Sequence, residues 1–341
     1  MNNRDVEVIS GGGGETQSIF GHIVSLPNLL TAWREFRRGK SKKEDVLNFE
    51  FHLEDNLFNL NKELINKTYR PEKYESFFVQ DPKKRHIHKA TVRDRVLHQA
   101  IFRILYPIFD KNFIHHSYSS RTGKGTHKGV KSLFIGIRKI SSNWKKPAYT
   151  LKCDIKKFFD SIDHNILLKL IERKINCKET FNLIESIVKS FEKNTGKGLP
   201  LGNVTSQLFA NIYLNELDQF VKHELKVRYY FRYADDFVVL GKNIDELEKT
   251  KIKIALFLKD SLDLELHKDK VFIKKVSQGI DFLGYVVLPN AIVLRTKTKR
   301  RILKRVNKNN KSSYLGVLLH CRGKILDSKI KKLAYARQDL A

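Results

Sequence analysis

Tyr233-Ala234-Asp235-Asp236 sets two adjacent carboxylates between two strand-like segments, Arg228 to Tyr233 and Phe237-Val238-Val239-Leu240. Like charges forced together repel unless a cation sits between them. An exposed acidic hairpin turn would carry the same tetrad without that cost. A third carboxylate changes the balance: Asp154 closes another strand-like run, Ala148-Tyr149-Thr150-Leu151-Lys152-Cys153. Three carboxylates on adjacent strand ends can hold two Mg²⁺ ions ~3.5 to 4 Å apart, an arrangement that activates a 3′-hydroxyl and stabilises a leaving pyrophosphate.

The frame that must hold these groups is foreshadowed by composition. At roughly 150 residues per domain, 341 residues suggest two or three compact units, and 41% hydrophobic with 11% aromatic residues excludes wholesale disorder. Charge is the outlier. Lys and Arg total 65 against 37 Asp and Glu, a net +28, which destabilises a compact state unless a polyanion absorbs it; nucleic acid is the expected partner, a solvated lysine-rich surface the alternative. No stretch approaches the ~18 apolar residues of a membrane span, and Met1-Asn2-Asn3-Arg4-Asp5 lacks a basic-then-apolar leader, so a cytoplasmic protein without a membrane partner is expected. Cys153, Cys177 and Cys321 lie far apart with no C-x-x-C pair, which argues against a disulfide framework or a structural zinc site.

Along the chain, residues 1–18, with Gly11 to Gly14, read as a flexible tail. Pro27 suits a helix start, and Val46, Phe49, Leu53, Leu57, Leu60 and Leu64 form the core stripe of one further helix. Tyr74 to Val79 and Arg85 to His88 read as a hairpin turning at Asp81-Pro82, with Lys83, Lys84 and Arg85 at its tip. Helices are expected over Val92 to Phe113, His127 to Ile140, Ile166 to Glu192 and Thr205 to Leu225, the last opened by the loop Gly196 to Gly202. Nine Lys or Arg and no acid fall between Arg295 and Lys311; on a helix Arg301, Lys304, Arg305 and Lys308 share one face, while Ile302 and Val306 point elsewhere. The alternation describes an α+β protein without internal repeats.

Tyr233-Ala234-Asp235-Asp236 with its following apolar strand resembles the YxDD box of reverse transcriptases, and Asp154-Ile155-Lys156-Lys157-Phe158-Phe159-Asp160-Ser161-Ile162-Asp163-His164 resembles their first catalytic-aspartate motif. Arg93 to Val96 and Ser117 to Arg121 resemble the fingers motifs, Leu264 to Lys270 the late palm motif, and Phe282-Leu283-Gly284-Tyr285 the primer grip. The resemblance covers roughly Pro71 to Cys321. It implies a right-hand polymerase fold with a palm of antiparallel strands backed by helices: fingers within 19–148, palm over 149–288 with finger helices at 165–197, a basic thumb over 289–341, and a reverse transcriptase domain of about 60–290.

It also implies roles. Asp154, Asp235 and Asp236 match the catalytic metal ligands, with the Ile155 carbonyl as a further ligand, Mg²⁺ as the ion and Mn²⁺ as a substitute. Phe159 takes the steric-gate position that excludes a 2′-hydroxyl, Lys84 and Arg85 the triphosphate grip, and Lys270 a place near the incoming nucleotide; Leu201, Gly202 and Gln207 complete the dNTP-binding set. Arg121, Arg301, Lys304, Arg305 and Lys308 are the expected nucleic-acid contacts. Within Gly198-Leu199-Pro200-Leu201-Gly202-Asn203-Val204-Thr205-Ser206-Gln207, most reverse transcriptases carry glutamine where Leu201 stands and proline where Gln207 stands. Both departures resemble the enzymes of diversity-generating retroelements, which copy a template RNA into cDNA with errors opposite adenine. That class implies a small, basic, helical accessory protein. The rivals are retron, group II intron and phage-defence enzymes and, from another class, a non-catalytic RNA-binding protein. Some fifty residues follow Tyr285, too few for a ribonuclease H or endonuclease domain of ~100 residues, which disfavours an intron maturase.

Overall fold

A computed structural model describes residues 18–80 and 84–336. The expected tail, apart from Ser18, and the Asp81-Pro82 turn with Lys83 lie outside the described residues. The first elements are α1 (Ile19–Val24), α2 (Leu26–Arg37), α3 (Glu44–Phe51), α4 (Leu53–Ile65), β1 (Glu75–Val79), β2 (Arg85–Lys89), α5 (Val92–Asp110) and α6 (Thr126–Ile140). Then come β3 (Tyr149–Asp154), α7 (Phe158–Ser161), α8 (His164–Glu172), α9 (Lys178–Lys189), α10 (Val204–Gln219), β4 (Tyr230–Tyr233), β5 (Asp236–Gly241) and α11 (Ile244–Leu262). The chain continues through β6 (Phe272–Lys275), β7 (Ile280–Phe282), β8 (Tyr285–Leu288), β9 (Ala291–Leu294), α12 (Thr296–Arg305), α13 (Lys311–Leu318) and α14 (Lys324–Ala336). No described helix is long and apolar enough to cross a membrane.

The chain divides into two compact units built from interleaved segments: residues 1–113 with 157–216, and 114–156 with 217–341. In the first unit α2 packs on α5, and the buried Asn28 amide donates to the carbonyls of Ile23 (2.9 Å) and Ala100 (3.3 Å), replacing the water it loses. The apolar stripe expected on one helix is shared by two. The chain bends at His52 (φ −115°, ψ 39°), and the Asn56 amide donates to the Phe49 carbonyl across the break (3.0 Å). Val46, Phe49, Leu57, Leu60 and Leu64 are buried all the same. The hairpin β1–β2 pairs Phe77 with Ile87 and Val79 with Arg85.

In the second unit, four strands in the order β4-β5-β3-β6 form an antiparallel sheet backed by α6 and α11. The α6 contact needs Gly136, where a Cβ would lie 2.6 Å from the Phe231 ring. A three-stranded sheet, β7-β8-β9, follows. The α+β class and an antiparallel sheet backed by helices, both expected from the sequence, are present.

Two boundaries differ from expectation. The helix after the glycine loop is regular to Gln219 and closes in a π-helical turn, Phe220–Glu224. The basic helix α12 ends at Arg305, so Lys308 is not on it. The Asn310 amide donates to the Arg305 carbonyl (2.9 Å), and Asn307 and Asn310 each accept the other's backbone N–H, so side chains take over from helical bonding at that point. Ile302 and Val306 are buried.

Candidate active site

Strand alternation and register build the carboxylate cluster. Tyr233 pairs with Asp236 across β4–β5, leaving Ala234 and Asp235 as a two-residue turn with Ala234 left-handed at φ 51°. Asp154 ends β3 directly opposite Asp236 on the neighbouring antiparallel strand. The turn is anchored from beneath. Arg232 and Asp218, both fully buried, form a bidentate ion pair (Nε to Oδ1 2.7 Å, Nη2 to Oδ2 2.6 Å), the Tyr230 hydroxyl donates to the same carboxylate (2.9 Å), and Arg232 Nη1 donates to the Ala234 carbonyl (3.3 Å). The Ile155 N–H donates to the Asp235 carbonyl (3.3 Å).

Two lysines neutralise the cluster. Lys270 Nζ lies 2.6 Å from Asp154 Oδ1, and Lys152, two residues before Asp154 on β3, donates to Asp236 Oδ2 (3.2 Å) and to the Asp281 carbonyl (2.7 Å). Burial pushes the Asp236 carboxyl up to about 6; Lys152 draws it down, and Asp235 and Asp154 raise it. Among the described residues no three side chains of metal-binding type already converge on one point. The donor chemistry nevertheless suits a hard cation: carboxylate oxygens on adjoining strands, with Asp236 Oδ1 buried and lacking a hydrogen-bond partner.

The second unit also holds the residues expected to grip a primer. Phe282 pairs with Tyr285, and Leu283 (φ 53°) and Gly284 (φ 85°) make the turn between them. Two successive left-handed residues give the turn whose twist matches a hairpin. Tyr285 is buried and its hydroxyl donates to the Val317 carbonyl (3.1 Å). The Asp281 carboxylate pairs with Arg295, whose N–H donates to the Gly284 carbonyl (3.0 Å), tying the hairpin to the start of α12. A cleft of about 620 Å³ beside the turn is lined by His127, Leu283, Tyr285, Thr298, Arg301 and His320, among others. Arg301, Lys304 and Arg305 lie on α12, while Arg121 turns its guanidinium onto the carbonyls of Ile114 (2.7 Å) and Ser117 (3.1 Å).

Of the expected nucleotide-side residues, Lys84, Arg85, Phe159, Leu201, Gly202 and Gln207 lie in the first unit, whereas Lys270 lies in the second, on Asp154. Lys84 Nζ sits 4.4 Å from the Phe78 ring centroid and Arg85 opens β2, both exposed. Phe159, half-buried on α7, meets the buried Phe158 edge-on. Its carbonyl accepts from the Leu199 N–H (2.8 Å), and the Leu201 carbonyl accepts from the His88 N–H on β2 (3.2 Å). Gly202 is left-handed (φ 117°) and a Cβ there would lie 3.2 Å from Ile87; Gln207 is exposed on α10. Sequence reasoning overlooked Lys152, His164 and the Arg232–Asp218 pair. Only Lys152 carried a local signal: at two residues from Asp154 it shares that residue's strand face.

The chain has relatives. It is 25% identical over 266 residues to Protein YkfC of Escherichia coli K12, covering 66% of this chain and 69% of that protein. It is 26% identical over 361 aligned positions to the group II intron-encoded protein LtrA of Lactococcus lactis subsp. cremoris, covering 84% of this chain but 58% of that protein, less than two thirds of its length. Among solved structures, an apo telomerase from Candida tropicalis superposes with a TM-score of 0.49 at 14% identity, covering 72% of this chain and 60% of that one. A partial Cas6-RT-Cas1–Cas2 complex gives 0.42 at 18% identity, covering 76% and 46%. The family model described as reverse transcriptase (RNA-dependent DNA polymerase) matches residues 79–287, well over half of the sequence and inclusive of all three aspartates, and the chain accordingly belongs to the reverse transcriptase family.

Proposed function

We propose that this reverse transcriptase makes the cDNA of a diversity-generating retroelement, copying a template RNA with errors concentrated opposite adenine. The polymerase chemistry is carried by one observation above all: Asp154 faces Asp236 in register, with Asp235 in the adjoining turn. Asp154, Asp235, Asp236 and the Ile155 carbonyl are the groups that would hold Mg²⁺. Bound there, the ions would activate the primer 3′-hydroxyl and stabilise the leaving pyrophosphate. Arg232 keeps the turn in place through the Ala234 carbonyl, and Lys152 and Lys270 limit the repulsion among the carboxylates while no nucleotide is bound.

Phe159 is assigned to sugar discrimination, Lys84 and Arg85 to the triphosphate, and Leu201, Gly202 and Gln207 to the nucleotide's other contacts. Phe282 to Tyr285 are assigned to the primer end, and Arg121, Arg301, Lys304, Arg305 and Lys308 to phosphates of a template-primer duplex. The N-terminal helices and fingers are assigned to 19–148, the palm to 149–288 (with finger helices at 165–197) and the thumb to 289–341. Leu201 and Gln207, where most of the family has glutamine and proline, support the retroelement class; a small basic accessory protein is the expected partner. A group II intron-like enzyme is the second reading, supported by the intron-encoded relatives. The test is primer extension on an RNA template with Mg²⁺ and dNTPs, followed by cDNA sequencing. Errors clustered at template adenines support the retroelement reading; accurate copying of adenine, with any partner protein supplied, returns the enzyme to the intron-like lineage.

A further inference from the structure

One residue of the glycine loop, Gly198, has both its backbone polar groups taken by the segment that follows Phe159. The Gly198 N–H donates to the Ile162 carbonyl (2.8 Å), and the Gly198 carbonyl accepts from Nε2 of His164 (2.7 Å). His164 also donates its backbone N–H to the Gly196 carbonyl (2.9 Å). A carbonyl can only accept, so Nε2 carries a hydrogen and donates it. His164 is 2% exposed, and Nδ1 is buried without a hydrogen-bond partner. Filling this space with an apolar side chain would avoid burying an unmatched polar nitrogen. The side chain's one matched polar contact is with the loop.

That contact has reach. Gly198 stands at φ 112°, where a Cβ would lie 2.9 Å from the Lys193 Cβ, so its backbone is also closely packed against Lys193. Directly after it, the Leu199 N–H donates to the Phe159 carbonyl, and two residues further on the Leu201 carbonyl accepts from His88. The ring therefore holds a stretch of chain that is bonded both to the Phe159 backbone and to the strand that begins at Arg85.

We propose that His164 is a positioning residue for nucleotide selection: by holding the Gly198 carbonyl it sets how Phe159 and Leu201 are presented, so sugar discrimination and base fidelity depend on it together. The inference rests on Phe159 and Leu201 being nucleotide-binding residues. His164→Leu removes the donor, and His164→Gln supplies an amide N–H of similar reach. In His164→Leu, the ratio of ribonucleotide to deoxynucleotide incorporation and the misincorporation rate should both shift by about fivefold, the worth of one neutral hydrogen bond, with KM for dNTP rising more than kcat falls. His164→Gln should return both toward wild type. A merely structural histidine would lower the melting temperature and leave both ratios alone; that result, or ratios that glutamine does not restore, overturns the proposal. Should His164→Leu fail to fold, Gly198→Ala displaces the same peptide from the Lys193 side, and unchanged ratios there overturn it equally. Phe159→Ala and Leu201→Gln are measured in parallel. If they alter selection while His164→Leu does not, the inference about His164 alone fails; if neither alters selection, the nucleotide-site reading fails and takes the inference with it.

Discussion

Lys152 and Asp236 are 84 positions apart in the chain and 3.2 Å apart on neighbouring antiparallel strands. The same ammonium takes the Asp281 carbonyl and lies 5.7 Å from the Phe282 ring centroid. One cation thus links the carboxylate cluster to the β7–β8 hairpin. Even so, burial outweighs this neutralisation at Asp236, which is why its carboxyl stands near 6 rather than 3.8.

A pH dependence follows for the metal-free protein. The folded state holds the Asp236 proton more tightly than the unfolded chain does, so the stabilisation is full below the ordinary value of 3.8 and is lost as pH rises through about 6. Asp236→Asn is neutral throughout. Its melting temperature in EDTA should exceed that of wild type by a few degrees at neutral pH, and the gap should close on acidification. Parallel melting curves across that range would mean the carboxyl is not desolvated.

Replacing Asp154 or Asp235 by Asn removes charge and keeps shape. Primer extension should fall by orders of magnitude while template-primer affinity and the circular dichroism spectrum change little. Wild-type rates in either variant would remove it from the reaction centre.

Arg232 and Asp218 are expected to be the costliest pair to break. Either Arg232→Met or Asp218→Asn leaves its partner's polar group buried without its match, and the loss of stability should be about 3 to 5 kcal/mol, read from urea unfolding. A loss below 1 kcal/mol would show that water reaches the pair. Extension should also drop in Arg232→Met, because the Ala234 carbonyl loses a donor.

If the Phe159 ring lies beneath the ribose C2′, Phe159→Ala should admit ribonucleotides, since the discrimination is steric. The measurement is the ratio of rNTP to dNTP incorporation. An unchanged ratio in an active enzyme would assign the ring to packing against Phe158.

Leucine at 201 cannot make the polar contact that glutamine offers a nucleotide sugar. Such a contact is worth on the order of 1 kcal/mol, about fivefold in a rate ratio. Leu201→Gln, alone or with Gln207→Pro, should therefore lower misincorporation opposite template adenine more than opposite the other bases. Sequencing cDNA from one RNA with matched contexts checks it; equal adenine error rates would exclude Leu201 from fidelity.

What the sequence disclosed and what it concealed have a common physical logic. The strand-like run ending at Asp154 and the acidic pair between the strand-like segments on either side of it are local, and β3, β4 and β5 lie where those runs put them. The helix break at His52 was hidden because the apolar stripe runs through it, and the end of α12 because Asn307 and Asn310 reveal their reciprocal bonding only once folded. Arg232 read as a polar residue in a strand; that it lies buried against Asp218, fourteen positions earlier, depends on α10 and β4 meeting. Long-range partners of this kind leave no periodic trace.

The interleaving of the two units also bears on how the protein is made. Each unit takes an early and a late segment, so a ribosome releases β3 with Asp154 well before β5, its central partner, exists. At roughly 5 to 20 residues per second the nascent strand waits several seconds with both edges open, apolar residues such as Leu151 and Cys153 among them. Slowing translation between residues 157 and 235 with rare codons would lengthen that wait and should lower soluble yield, whereas the same codons after Lys275, once β6 has emerged, should cost far less.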